Sequence, residues 1–433
     1  YLEASDRAGN KDEKKKLLDE AVSYAQKSLS KNPNEGTAHY ILGMNASENN
    51  DNAKALDELT KAVKYSPDNY LYWYNLGKTQ YRMRKYNDAA NSFTKCCNLN
   101  GQFAPGRYNL GLSYKTLKND TAALDSFKKT IEINPYHENA YIEQARLLTK
   151  RGDYSGAVTS YKKVLEINNV NTTALMELGT VYHTAQKLAL SEESYKRAIT
   201  LLDSGFNLTS TCYNLSTVLF EEEKYTEAVS FAKKAYDGRD YISNEKLRAN
   251  IIYNYALLLD ATGKKTDAIS IYLEVLKYDP DHIKTNINLG VMYLELDPPD
   301  ADKALVRLSR AFQGDSKNIE VNNNLGKAYE YKEDYKNSIK YYQNAYKLSP
   351  NNNEILLNLA RSYAKDEDYS NAKTTYQNVI NADKQNWTAY IELAKVCMKL
   401  EDNENAEKYL LTVQKKQPDF HADEVSKLLE GLK

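Results

Sequence analysis

Residues 108–135 read YNLGLSYKTLKNDTAALDSFKKTIEINP, and the spacing of a few small and aromatic residues within them decides the fold. Leu110 and Gly111 are followed by Tyr114, then by Ala123, Phe127 and Pro135. The same skeleton stands upstream as Trp73, Leu76, Gly77, Ala89 and Phe93, and downstream as Leu325, Gly326, Tyr329, Tyr342, Ala345 and Pro350. Within each copy, two stretches of about a dozen residues carry apolar or small side chains at helical spacing. Each copy is therefore read as a helix pair. Small residues let the two helices approach, and aromatic side chains fill the space left over. Pro67, Pro135, Pro280, Pro350 and Pro418 stop the second helix, because proline lacks an N–H and clashes with the preceding turn.

The small residue of the Leu-Gly pair, taken as position eight, can be followed along the chain. Gly43, Gly77, Gly111, Ala145, Gly179, Ser216, Ala256, Gly290, Gly326, Ala360 and Ala394 fill it, giving eleven repeats. Successive markers are 34 residues apart in seven of the ten steps and 37, 40 and 36 apart in the others. Extra residues are expected in loops, at Ser204 to Asn207, Asp240 to Asn250 and Leu296 to Asp302. Residues 1–35 read as a truncated repeat whose helix carries Leu17, Leu18, Ala21, Ala25 and Leu29 and lacks a packing partner before Gly9. Residues 36–240 hold repeats one to six, 241–418 hold repeats seven to eleven, and 419–433 form a capping helix with Phe420, Val425, Leu428, Leu429 and Leu432. One pair cannot bury both its faces, so neighbours must stack. The fold class expected is all-α, one continuous right-handed superhelical solenoid.

This skeleton resembles the tetratricopeptide repeat. The resemblance implies that the first helices line a concave groove and that the chain holds a partner instead of catalysing a reaction.

Composition narrows the partner. With 58 basic and 59 acidic residues the net charge is −1, so no general field draws the chain to phosphate backbones or acidic lipid. Nucleic acid is not the expected partner. Mean hydropathy is −0.70, and no apolar run reaches the roughly 18 to 20 residues of a membrane span. Cys96 and Cys97 are adjacent in a second helix, where a disulfide would be strained, and Cys212 and Cys397 lie several repeats away. All four read as reduced packing residues. His39, His137, His183, His282 and His421 are scattered without metal-ligand spacing, so no metal or cofactor is expected. Glu221, Glu222 and Glu223 fall in a turn, where solvated charge is the plain reading. No enzyme chemistry is expected.

One pattern rises above packing. Asparagine fills position six in seven of the eleven repeats, as Asn75, Asn109, Asn214, Asn254, Asn288, Asn324 and Asn358. The resemblance places these amides along the groove, similar to the asparagine ladder in the repeat domain of O-linked N-acetylglucosamine transferases. An amide offers a donor and an acceptor together, matching an extended peptide backbone. The alternative is that asparagine here only builds the repeat framework. Position five supplies Tyr40, Tyr74, Tyr108, Tyr213 and Tyr253 as aromatic anchors for the partner. Lys327, Arg361, Lys365, Lys395 and Lys399 make the C-terminal groove basic and suited to an acidic peptide. The carboxylate clamp of chaperone-binding members, with Lys at position five and Asn at nine of one repeat, is absent. The expected function is a protein-interaction scaffold holding a partner protein or extended peptide. The second reading is a targeting or assembly portion of a larger enzyme or cell-envelope complex with its other parts upstream of Tyr1, and the N-terminus does not fix the compartment.

Overall fold

Glycine at position eight is explained by what faces it. A Cβ added to Gly77, Gly111, Gly179 or Gly326 would lie 2.8, 2.6, 2.7 and 2.7 Å from ring atoms of Phe93, Phe127, Tyr195 and Tyr342. Those rings sit at position twenty-four of the same repeat and are all but fully buried. These four repeats close by laying an aromatic ring on backbone, and Leu59 and Leu308 take that place over Gly43 and Gly290. The helix cost of glycine is offset by that burial.

The structure, a computed structural model, describes residues 11–432. Its helices fall into two compact bodies, one ending at Asp203 and one beginning at Ser204. The first body opens with α1 (Lys11–Lys31), followed by α2 (Gly36–Glu48) and α3 (Asn52–Tyr65), then α4 (Tyr70–Arg82) and α5 (Tyr86–Leu99). It continues with α6 (Ala104–Thr116) and α7 (Asp120–Ile133), α8 (Glu138–Lys150) and α9 (Tyr154–Ile167), and α10 (Thr172–Thr184) and α11 (Leu188–Thr200). The second body contains α12 (Phe206–Glu221) and α13 (Tyr225–Asp237), α14 (Glu245–Ala261) and α15 (Lys265–Tyr278), and α16 (Ile283–Leu294) and α17 (Ala301–Gly314). The remaining pairs are α18 (Ile319–Tyr331) and α19 (Tyr335–Leu348), α20 (Asn353–Lys365) and α21 (Tyr369–Ala382), and α22 (Trp387–Lys399) and α23 (Asn403–Lys416), before α24 (Ala422–Glu430). Within each body every α-helix packs on the helices before and after it. The fold is an all-α solenoid of stacked helix pairs.

The ends carry the expected residues inward. In α1 Leu18, Ala21 and Ala25 are buried, and α24 buries Val425 with Phe420, Leu428, Leu429 and Leu432 packed around it. What stands before Gly9 lies outside the described residues.

Two of the three irregular steps differ from the expectation of longer loops. Helix α12 has 16 residues and α14 has 17, against 13 for α2. The additions extend the N-terminal ends of these first helices. A turn is about 3.6 residues, so a near-integral turn can be added while the buried stripe keeps its direction. The longer step adds a 3₁₀ turn at Arg239–Tyr241, after which Ile242 is fully buried. Arg248 donates to the Ile242 carbonyl from Nε at 3.0 Å and from Nη2 at 2.6 Å. The longer step thus divides its extra residues between α14 and the connection before it, and the third step places its own between helices, from 295 to 300.

Turns and caps account for much of the polar sequence. The turn residue seven positions after the marker is left-handed in ten repeats, yet only Gly152 and Gly263 are glycine. Asp51, Asn119, Asp153, Asp334, Asp368 and Asp402 cap second helices by accepting from the backbone N–H three residues on. Asn171, Asn244, Asn318 and Asn386 do the same for first helices. All four cysteines are free and buried, and burial pushes the Cys212 thiol up to about 11.

Candidate functional site

Position six lies two residues before the marker, where a side chain of modest length can meet the preceding repeat. Asn75 Nδ2 donates to the Tyr40 hydroxyl at 3.0 Å and to the Leu71 carbonyl at 3.0 Å. Asn109 repeats the arrangement with Tyr74 at 3.3 Å and the Pro105 carbonyl at 2.9 Å. Asn288 donates to Tyr272 at 2.8 Å and to Tyr253 at 3.5 Å. Asn254 is 8% exposed and accepts from the Ser216 hydroxyl at 2.7 Å. In these repeats the ladder amides tie one repeat to the one before it.

The tyrosines of position five are the other half of that tie. Tyr40, Tyr74, Tyr108, Tyr213 and Tyr253 are half-buried. Tyr40 stacks on Tyr72 at 4.3 Å between centroids, Tyr74 meets the edge of Phe103 at 5.0 Å, and Tyr108 leans on His137 at 4.7 Å. Burial raises the phenol pKa of Tyr74, Tyr108, Tyr213 and Tyr253 above the ordinary value. The sequence offered these rings as exposed anchors; the structure wedges them between repeats.

Glutamate replaces asparagine at position six in three repeats, and there an ion pair forms the tie. Arg146 holds Glu177 through Nε at 3.1 and 2.9 Å and also reaches Glu143 at 2.8 Å, and Lys115 bonds to Glu143 as well. Tyr161 donates to Glu177 at 2.6 Å. The arrangement recurs in the second body, where Arg361 holds Glu392 through Nε at 3.1 and 3.0 Å and Nη2 at 2.9 Å. The hydrogen bonds to Glu177 and Glu392 raise the arginine pKa values, and burial raises those of Tyr161 and Tyr376. Sequence reasoning missed this motif. Its signal was the Ala-Arg dipeptide at 145–146 and 360–361, followed by Tyr161 and Tyr376, then by Glu177 and Glu392.

Three amides escape both kinds of tie. Among the described residues Asn214, Asn324 and Asn358 have no hydrogen-bond partner for their side chains. Each follows a repeat whose position five is not tyrosine: Met176, Ile287 and Asn323 stand there. Asn324 and Asn358 line one cavity of about 430 Å³ with Lys327, Arg361, Lys365 and Asn323, whose buried Oδ1 has no partner. Glu295, Glu330 and Glu354 share the lining, so the cavity is charge-balanced and not simply basic. Lys365 is tied to Glu330 at 2.6 Å and Glu295 to Lys265 at 2.7 Å, whereas Lys327 has no carboxylate partner among the described residues. A second cavity of about 490 Å³ shares Arg361 and Lys365 and adds Lys395 and Lys399. There Lys395 meets Glu424 of α24 at 2.7 Å. Of the candidate residues, the second body thus gathers Asn324, Asn358, Lys327, Arg361 and Lys395 along two adjoining cavities.

Tetratricopeptide repeat family models match residues 363–431, 319–352, 42–95, 104–137 and 249–282, and a further repeat model of that name matches 145–186. The chain belongs to the tetratricopeptide repeat proteins. In coarse terms it is a protein-interaction scaffold. The longest unmatched stretches between these models are 187–248 and 283–318, which hold the irregular steps. A human relative, protein O-mannosyl-transferase TMTC3, is 29% identical over 150 residues, which make up 34% of this chain. The chain spans only 15% of that relative's length. Among solved structures, YrrB, described as a tetratricopeptide repeat protein with an unusual peptide-binding site, is 24% identical with a TM-score of 0.40, covering 46% of this chain and 97% of its own. A tetratricopeptide repeat protein from Parabacteroides merdae is 17% identical with a TM-score of 0.41, covering 60% of this chain and 98% of its own. No group of three or more His, Cys, Asp or Glu among the described residues could hold a metal ion. No helix among them is long and apolar enough to cross a membrane.

Proposed function

We propose that the chain is a non-enzymatic scaffold that holds an extended, acidic stretch of a partner polypeptide along the first helices of its second body. The observation that carries this reading is the pair of amides, Asn324 and Asn358, left without protein partners beside Lys327 in one cavity. Each amide offers a donor and an acceptor to a peptide group one repeat apart. Lys327 and Lys399 are free of carboxylates among the described residues, and Lys365 and Lys395 sit in exposed pairs whose worth is small and readily exchanged. A net hydrogen bond contributes about 0.5 to 1.5 kcal/mol, so affinity is summed over rungs and lysines. Nucleic acid is not a partner in this reading, because the whole chain is nearly neutral.

The test pairs two measurements on an Asn324→Ala, Asn358→Ala double variant. Its melting temperature should match the wild type, since neither amide supports the fold. Affinity for a partner captured by the wild-type protein should fall by about 1 to 3 kcal/mol for two rungs. A lower melting temperature with unchanged affinity would overturn the proposal and leave the amides as framework.

A further inference from the structure

The second cavity has a different make-up from its neighbour. Its floor is Ala364, Val396, Tyr369 and Tyr376, while Lys365, Lys395 and Lys399 stand around it. Val396 and Tyr376 are nearly fully buried, and Tyr376 is held by Glu392, itself clamped by Arg361, so the floor is rigid and its charge is already answered. What remains is an apolar hollow rimmed by Lys365, paired with Glu330, by Lys395, paired with Glu424, and by Lys399, which has no carboxylate partner among the described residues. Lys395 and Lys399 are one turn apart on α22, and Lys365 comes from α20 of the preceding repeat. Positive charge is therefore spread along the groove on two sides of the hollow and not gathered at one point.

The geometry points to a specificity pocket for an aromatic side chain that is flanked in its own sequence by acidic residues. The ring would lie on Val396 and Ala364 between Tyr369 and Tyr376, and the flanking carboxylates would meet Lys365, Lys395 and Lys399. The apolar and aromatic surface of Ala364, Val396, Tyr369 and Tyr376 offers nothing to an aspartate or glutamate side chain, which favours a ring as the occupant. The lone carboxylate now on Lys395 is Glu424 of the last helix, and its exposed pair is the intramolecular counterpart of the contact a partner would make. This inference rests on the groove-binding reading above, because it names the side chain that an extended segment would present between the tenth and eleventh repeats.

The experiment uses the whole chain and fluorescein-labelled dodecapeptides followed by anisotropy. One probe carries a central Phe between Asp and Glu residues; the others replace that Phe by Ala, replace the acids by Ser, or carry phosphotyrosine between Ser residues. The Phe-acid probe should bind about tenfold or more tighter than its Ala counterpart, as expected for burying one aromatic side chain. Ala364→Phe, which fills the hollow, should erase that difference without changing affinity for the Ala probe. Lys399→Glu lies on the exposed rim and threatens no packing; it should weaken the Phe-acid probe and spare the Phe-Ser probe. Glu424→Gln should strengthen the Phe-acid probe. Equal binding of the Phe-acid and Ala-acid probes, both weakened by Asn324→Ala with Asn358→Ala, would overturn the pocket while the groove reading stands. Tighter binding of the phosphotyrosine probe than of the Phe-acid probe would overturn the occupant. Failure of every probe to bind at about 1 mM, where even weak complexes form, would overturn the pocket and the groove together.

Discussion

In the first body position six is spent, from Asn75 onward, on holding neighbours together, and in the ninth and tenth repeats, within the second body, the same position is left open. Asn75 and Asn109 give their N–H groups to Tyr40 and Tyr74, and Glu177 is fastened by Arg146 and Tyr161. Asn324 and Asn358 carry the same amide with no such partner, beside a cavity. The residue type is identical, so the difference lies one repeat upstream. A tyrosine at position five converts the next asparagine into a rivet; Ile287 or Asn323 in its place releases it. Ladder and framework are thus two states of one position, selected by its neighbour.

The common core should respond alike in both bodies, and with the largest effect. Phe127 and Tyr342 are 0% and 1% exposed, so replacing either with Ala should cost about 3 to 5 kcal/mol, chiefly through the cavity left behind. Hydrogen exchange should show the loss concentrated in the mutated repeat and its neighbours. Tyr114 and Tyr329, at position eleven, are only half-buried, and their truncation should cost visibly less.

The ladder should respond in opposite ways. Asn75→Ala with Asn109→Ala should lower stability by about 1 to 3 kcal/mol, since each removes a hydrogen bond between repeats worth about 0.5 to 1.5 kcal/mol. Its affinity for a captured partner should be unchanged. A thermal melt and a binding isotherm on this variant, set against the Asn324, Asn358 pair, decide whether the two regions differ as described.

Installing the missing tyrosine should convert one region into the other. Asn323→Tyr should offer Asn358 the partner that Tyr74 offers Asn109, raising stability by about 0.5 to 1 kcal/mol while obstructing the cavity and weakening partner binding. Stronger binding by this variant would break the rule drawn from position five.

Proton uptake should not distinguish the bodies at all. His137 and His282 each cap a first helix by accepting on Nδ1 from the backbone N–H of Ala140 and Thr285, both at 3.2 Å. Burial holds both imidazole pKa values below the ordinary value near 6.5. Folding therefore favours the neutral ring, and the unfolded chain takes up protons first. Stability from these caps should be complete above about pH 6.5 and lost as pH falls through the folded values. A His137→Asn, His282→Asn variant keeps an acceptor at each cap and should flatten the melting temperature between about pH 6.5 and 5.

Sequence reading reached the fold because position eight and position twenty-four are locked by one contact. Gly111 is glycine since Phe127 lies on it, and such pairs recur with the period. The site was legible only in part. Tyr40, Tyr74 and Asn75 were visible as a face, but the bond joining Tyr40 to Asn75 spans 35 residues and has no local signature. The acidic partners of Arg361, Lys365 and Lys395 were hidden for the same reason: Glu392, Glu330 and Glu424 come from other repeats or from the cap. Turn residues were obscured differently, because left-handed positions such as Arg84 and Lys118 carry long polar side chains where glycine would have announced them.

Helices α12 and α14 grew by near-integral turns, and this sets what kinds of length change the gene can tolerate. Each residue inserted within α12 between Thr209 and Ser216 would rotate Thr209 by about 100° relative to the rest of the helix, so an insertion of one or two residues would swing it away from the Gly238 carbonyl it now reaches at 3.2 Å. Three or four bring it back to the same side. The segment after α16, having no helical phase to preserve, passes any small number. Insertions and deletions along this chain are consequently filtered by two sieves of different mesh, one that admits only near-multiples of a turn and one that hardly filters, and the periodic spacing decays in steps at the first and smoothly at the second.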